Sequence, residues 1–398
     1  MRISVEQTRL SGFTLCLLIA LMPLNHITLP GIGAAYQPIL LIAILIYTIM
    51  LFKNRNGVIG LDQPMTTWTA FTSIELVSVF WAENVQRSAS QLVGIVETYI
   101  VAMLAIDASY RSNQKRAIHN AFLFSGMVYI VFAQFFTVDQ IYTGRKMITF
   151  GEFGAMDPNE WCSYMIVPIA VSLQRFFEDE RVRVKLFYIG YVLLTFYCAL
   201  LEGSRGGLLA LIITSLLIIR KEAHMSAKAL ISGFLSCIAM IFVVWRFIIP
   251  RIPETIMQRF TIQGMTAYGG AGGRGGLWIE IFEYLWNHPL RLLIGNGLYG
   301  SISVPFVAHN QLLQVLMDMG IIGLSVYLAF LLQVHKKMRG KGIVELAAFW
   351  GMQVALLSLT GYSWLKSSWI VIIICLINYT DVGDKQYEYT DERERAVP

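Results

Sequence analysis

Charge is scarce in this chain: Asp, Glu, Lys and Arg make up 14% of its 398 residues, where a soluble domain carries about 25%. That deficit excludes a soluble enzyme of this length, which would place long charged stretches between its cores. The charge that exists is nearly balanced, 31 Lys and Arg against 26 Asp and Glu, and no basic face tracks along any segment. Nucleic acid is therefore not an expected partner. Metal-binding histidine pairs are missing too. His26, His119, His224, His288, His309 and His335 include no His-x-His or His-x-x-x-His, so neither a metal nor another cofactor is expected. Cys16, Cys162, Cys198, Cys237 and Cys375 lack zinc or redox spacing and read as buried small hydrophobes. Arg2 and Arg9 precede an apolar run from Gly12, as in a signal peptide. No small-residue cleavage site follows Pro23, Asn25 and His26, so a retained first span is expected. The absence of an internal repeat counts against the inverted-repeat transporters.

What is present is apolar: 56% of residues, with mean hydropathy +0.58. The expected fold is an all-α polytopic integral membrane protein. A helix needs roughly 20 apolar residues to cross about 30 Å of hydrocarbon. About twelve runs qualify, near 11–30, 36–52, 64–82, 90–107, 118–137, 159–177, 186–202, 205–220, 228–248, 310–334, 343–360 and 364–380. With the N-terminus inside, 21 of the 31 Lys and Arg are cytoplasmic, including Arg111, Lys115, Arg116, Arg181, Arg183, Lys185 and Lys337. The positive-inside rule then sets both termini in the cytoplasm. One large outer segment, 250–308, remains. It contains a glycine stretch, Gly269 to Gly276, expected to be flexible. Beyond it Trp278, Ile281, Phe282, Leu285 and Trp286 fall at helical spacing, expected as one face of a helix lying on the outer surface.

Polar residues at the span ends on this side are the candidates for chemistry. Arg205, in Gly203-Ser204-Arg205-Gly206-Gly207, is either a snorkelling residue paired with Glu202 or part of an anion site. The bare glycine backbone, a helix N-terminus and a planar guanidinium suit phosphate or carboxylate. Arg274 repeats the theme in Gly273-Arg274-Gly275-Gly276, either solvated or able to close on a ligand. Arg246, Arg251, Arg259 and Arg291 add positive charge on the same side. His309 and Asn310 open the tenth span. Asn310 suits an N-cap, and His309 suits either a polar cap or a proton acceptor near neutral pH. Asp157-Pro158-Asn159-Glu160-Trp161 reads first as ordinary helix capping with an interfacial tryptophan. Glu75, Glu97, Asp318 and Glu345 lie inside spans, where they are costly unless paired. They keep a proton- or ion-coupled transporter open as an alternative, and a noncatalytic scaffold is a third.

Taken in order, Asp157-Pro158-Asn159, the GSRGG of Gly203–Gly207, Arg274 with Trp278, His288-Pro289, Gly295-Asn296-Gly297, and His309-Asn310 leading on to Gly320 and Gly323 resemble the O-antigen ligase and polymerase superfamily. The resemblance implies a GT-C-like multi-helix fold in the bacterial cytoplasmic membrane, with its active site on the outer face and no metal. It implies transfer of a glycan from undecaprenyl pyrophosphate to an acceptor sugar hydroxyl. The acceptor is a lipid-linked repeat unit in a polymerase and lipid A core in a ligase; the generic match leans towards polymerase. It further implies His309 as the base and Arg205 and Arg274 as pyrophosphate contacts, with Asn310, Ser204, Arg291, Asp157 and Asn159 in support. A flippase and a chain-length regulator are implied partners. The expected organisation is 1–157 as the first five spans, 158–334 as the core including 250–308, 335–380 as the last two spans, and 381–398 as a charged cytoplasmic tail.

Overall fold

The computed structural model describes residues 5–31, 33–55, 57–139, 146–222, 274–304, 307–338, 340–360 and 365–380. The expected span at 228–248, Cys237, Arg246, Arg251, Arg259, residues 269–273 and the 381–398 tail lie outside the described residues. A helix coincides with each other expected span. These are α1 (Val5–Ala20), α2 (Gln37–Arg55), α3 (Gln63–Ser78), α4 (Val85–Asp107), α5 (Lys115–Phe135), α6 (Pro158–Glu178), α7 (Val182–Leu201) and α8 (Arg205–Glu222), followed after the 250–308 segment by α11 (Gln311–Met338), α12 (Ile343–Leu356) and α13 (Lys366–Leu376). Within the 250–308 segment lie α9 (Arg274–Asn287) and α10 (Pro289–Ile294). The first helix stops ten residues short of its expected end near 30. Pro23, which lacks an N–H, starts a separate 3₁₀ turn over Met22–His26.

Among the described residues, four helical segments are both long and apolar enough to cross a bilayer: Val85–Asp107, Ser112–Phe135, Val182–Leu201 and Gln311–Met338. Large apolar side chains face outward around the molecule, including Phe52, Phe80, Val93 and Phe124. Water tolerates such an extent of exposed apolar surface poorly, whereas lipid solvates it. This is an α-helical membrane protein. Its central helix is α6, which is buried all round from Trp161 to Leu173 and packs against α5, α7, α8 and α12. That burial corrects the reading of Trp161 as an interfacial residue. Its ring is fully enclosed, and its indole N–H donates to the Tyr129 carbonyl at 2.9 Å. Cys162, Cys198 and Cys375 are buried free thiols, while Cys16 is only partly buried.

The tenth expected span is not one continuous helix. Gly320 adopts φ 65° and ψ −167°, breaking α11 in two, and a side chain there would collide with Leu293. The break exposes carbonyls that a membrane interior cannot hydrate. The Gly295–Gly297 turn satisfies them. Asn296 donates its backbone N–H and side-chain amide to the Met317 carbonyl, at 2.9 and 3.0 Å, and the Gly297 N–H donates to the Asp318 carbonyl at 2.9 Å. Three of the four acids expected within spans have close partners, while Glu75 is buried with its Oε1 not hydrogen-bonded among the described residues. Glu97 lies 3.7 Å from Lys366 and accepts from Gln37, Glu345 lies 2.7 Å from Lys115, and Asp318 accepts from Gln314. Such pairing offsets the desolvation of each charge.

Candidate active site at four helix N-termini

The segment around Arg274 departs from expectation. Arg274, Gly275 and Gly276 are the first turn of α9 rather than a flexible loop. Glycine is least disruptive in a first turn, where the leading N–H groups have no intrahelical partners to lose. The apolar stripe of α9 also divides. Ile281 and Leu285 are buried against Leu313 and Met317 of α11, with Trp278 beside them. Phe282 and Trp286, expected on that same side, face outward, Trp286 at 80% exposure. The reason is that α11 supplies a second apolar surface behind α9, so both faces of α9 find apolar surroundings, one in protein and one outside.

Four helix N-termini meet near the end of α12. The Arg274 guanidinium donates to the Ser358 carbonyl at 3.1 Å. Asn310 reaches the neighbouring Leu357 carbonyl at 3.4 Å with its Nδ2, while its Oδ1 caps α11 by accepting from the Leu313 N–H at 3.1 Å. Gly206, in the first turn of α8, lies so close to Ser358 that a Cβ would fall 2.0 Å from its Oγ. Gly207 is similarly pressed against Cys162 of α6, 2.4 Å from where its Cβ would be. Only glycine permits these approaches. The start of α8 is tied to the start of α6 by Ser204, which donates to Asn159 Oδ1 at 2.6 Å. Asn159 in turn donates to the Asp157 carboxylate from its backbone, at 2.7 Å, and from its amide, at 2.9 Å. Asp157 is thus the N-cap of α6, as its position before Pro158 suggested.

His309 stands at this junction with φ 50°, a left-handed backbone conformation that costs a non-glycine residue about 1–3 kcal/mol. Its ring is open to solvent on one side. Burial on the other, together with the positive charge of Arg274, holds the imidazole below the ordinary histidine range, against the opposite pull of Asp157. Arg205, half-buried, is the first residue of α8. The cluster therefore joins the Arg274 guanidinium, the start of α8 on which Arg205 stands, the partial positive charge of four helix N-termini and an imidazole biased towards its neutral form.

The segments that meet here also carry a family signature. Residues 190–328 match the profile described as O-Antigen ligase. The match, over about a third of the chain, supports a resemblance of this region to the O-antigen ligase and polymerase superfamily. The match indicates a function of ligase or polymerase type, in polysaccharide biosynthesis at a membrane. No curated protein matches the chain. The O-antigen ligase match includes Ser204, Arg205, Arg274, Arg291, His309 and Asn310 but begins after Asp157 and Asn159. Those two join it physically, through the Ser204 hydroxyl.

Two residues named with the others have different surroundings. Arg291 donates to the carbonyls of Trp81 at 3.0 Å and Gly295 at 3.4 Å, bracing α10 and the turn after it against the end of α3. His288 stacks on Tyr284 with ring centroids 4.4 Å apart, its Nδ1 2.7 Å from the Tyr284 carbonyl. Glu83 was not singled out from the sequence, yet it holds the segment around Tyr284 and Ser303. It accepts from the N–H groups of Ile302 and Ser303, at 2.6 and 3.0 Å, and from the Tyr284 hydroxyl at 2.8 Å. Burial pushes its carboxyl up, but these donors together outweigh it and hold the group below the usual range. Only its place beside Trp81 at a span end hinted at this role. Glu83→Ala removes hydrogen bonds whose exposed donors can turn to water, and should lower stability by about 0.5 to 1.5 kcal/mol, read as a fall in the thermal midpoint of the purified protein. The contribution belongs to the ionised form, so in the native protein it should persist at neutral pH and fade as pH drops through the depressed carboxyl range. An unchanged midpoint would show that Glu83 is dispensable to that segment.

Proposed function

We propose that the protein is a membrane glycosyltransferase that moves a glycan from undecaprenyl pyrophosphate to an acceptor sugar hydroxyl on the outer face of the bacterial cytoplasmic membrane. The observation that carries this reading is the meeting of Arg274 and four helix N-termini, one of them headed by Arg205, beside an imidazole biased towards neutrality. The reaction needs those properties together. The acceptor oxygen attacks the anomeric carbon as the bond from that carbon to the phosphate oxygen breaks. The bonding pair leaves with the pyrophosphate, whose gain of negative charge is stabilised by Arg205 and Arg274 more in the transition state than before it. The acceptor proton passes to a ring nitrogen of His309. Asp157, Asn159, Ser204 and Asn310 position this apparatus, and Arg291 braces the outer segment. Neither a metal nor another cofactor is required.

In this reading the chain has about twelve spans in a GT-C-like arrangement, with domains 1–157, 158–334 and 335–380, a cytoplasmic tail at 381–398, and both termini inside. Polymerisation of a surface or exported polysaccharide, from lipid-linked repeat units, is the activity proposed. A flippase and a chain-length regulator would act beside it. The family description favours a second reading, attachment of the finished glycan to lipid A core. Lipid-linked oligosaccharides in a deletion strain separate the two: loss of a polymerase leaves glycans of one repeat, and loss of a ligase leaves long undecaprenyl-linked chains. Unchanged glycans would overturn both and return the transporter or scaffold. Orientation has its own check. Cysteines introduced at positions 270 and 337 should react and stay silent, respectively, with an impermeant reagent on intact cells. The reverse pattern would sink the outer-face assignment.

A further inference from the structure

The far end of α6 carries a second cationic site. Twenty-one helical residues separate its capped start at Asp157 from its end at Glu178, which at 1.5 Å per residue is about 30 Å, the thickness of a bilayer core. At that end, α6, the start of α5 and the start of α7 enclose an open cavity of about 570 Å³ lined by Lys115, Arg116, Arg175 and Tyr188 among others.

The charges there are unevenly matched. Lys115 is paired with Glu345 at 2.7 Å, and His119 also faces Glu345, at 3.8 Å. Asp179 is taken by Arg181 through two hydrogen bonds, at 2.7 and 3.0 Å. Glu178, on the rim, accepts from Gln174. Arg175 donates to the Tyr188 hydroxyl at 3.1 Å and to the Arg116 carbonyl at 3.4 Å, with its guanidinium 5.9 Å from the Tyr188 ring centre. Among the described residues, neither Arg175 nor Arg116 has a carboxylate within 4.0 Å. The N-terminus of α5, where Lys115 and Arg116 stand, adds a partial positive charge.

We propose that this cavity binds the phosphodiester headgroup of an anionic phospholipid through Arg116 and Arg175. The neighbouring surface favours a lipid over free phosphate. Val182, Leu186 and Phe187, at the start of α7, are strongly exposed apolar side chains interleaved with Arg181, Arg183 and Lys185. Alternating cationic and apolar side chains suit a headgroup boundary, with acyl chains against the apolar members. The proposal rests on α6 reaching from one membrane face to the other and on nothing about glycan transfer, so its test is independent of the activity.

The test is a titration of the purified full-length protein in detergent with dioleoylphosphatidylglycerol, followed by native mass spectrometry and thermal midpoint. Phosphatidylglycerol should bind and raise the midpoint, and phosphatidylcholine should do neither. Arg116→Gln combined with Arg175→Gln should weaken phosphatidylglycerol binding about tenfold or more, while Arg183→Gln, outside the cavity, should change it less than about twofold. Equal binding of phosphatidylcholine, or full binding by the double variant, would overturn the site. Competition by millimolar inorganic phosphate would assign it to the free anion instead. Should the double variant have a lowered midpoint without lipid, Arg116→Gln alone decides, because that side chain is exposed; wild-type affinity there would also overturn the proposal.

Discussion

His309→Ala should abolish glycan transfer while leaving the protein folded and able to bind donor. Removal of a general base typically costs about 10² to 10⁴ in rate. Nothing comparable is expected in stability, because α11 is capped by the neighbouring Asn310 rather than by His309. Alanine would still occupy a left-handed backbone position at φ 50°, so strain is not relieved by the change. The comparison residue is His288, which stacks on Tyr284 and touches its carbonyl. His288→Ala should leave most of the turnover intact. The measurement is turnover of lipid-linked oligosaccharide, with expression, thermal midpoint and donor binding as controls. A folded His309→Ala protein with full turnover would remove the base from the mechanism, whereas loss of folding in this variant and not in His288→Ala would make His309 structural.

The positions of the helices were largely legible because lipid leaves so little freedom: apolar runs of span length have one common solution. Where the sequence reading failed, the deciding contact came from a distant segment. Trp161 has the composition of an interfacial residue, but α5 supplies the carbonyl of Tyr129 that lets its indole be buried. The glycines around Arg274 read as flexible because nothing local announced that Ser358 would hold the guanidinium. Gly320 lies in a run of span length interrupted by Asp318, and the break there becomes visible only with Asn296 and Gly297 satisfying the carbonyls it frees. The same limit explains why Leu357 and Ser358 escaped notice. They are ordinary residues at the end of α12, and their importance lies in backbone oxygens that every residue has. Arg205, Arg274 and His309 stood out as candidates by residue type and place, cations in glycine and a histidine at a span end, while the roles proposed for them come from the family resemblance.

Arg274→Ala should slow transfer about tenfold to a hundredfold, the loss of one charge-assisted hydrogen bond of about 1.5–3 kcal/mol from the transition state. It should also move the pH profile. The Arg274 charge disfavours the protonated imidazole of His309 and so contributes to holding that group below its ordinary range. Deleting the charge raises the imidazole pKa, the base becomes protonated at a higher pH, and the acidic limb of the rate profile shifts upward. Arg274→Lys keeps the charge but loses the planar fork. It should therefore recover only part of the rate while returning the acidic limb close to its wild-type position. A structural explanation makes a different forecast: if Arg274 merely ties α9 to the Ser358 carbonyl, its loss should lower the thermal midpoint and leave the shape of the pH profile alone. Rate against pH for wild type, Ala and Lys, on purified lipid-linked substrate, separates the two. Normal transfer by the alanine variant would remove Arg274 from the pyrophosphate site, and a slowed variant with an unmoved acidic limb would break its electrostatic link to His309.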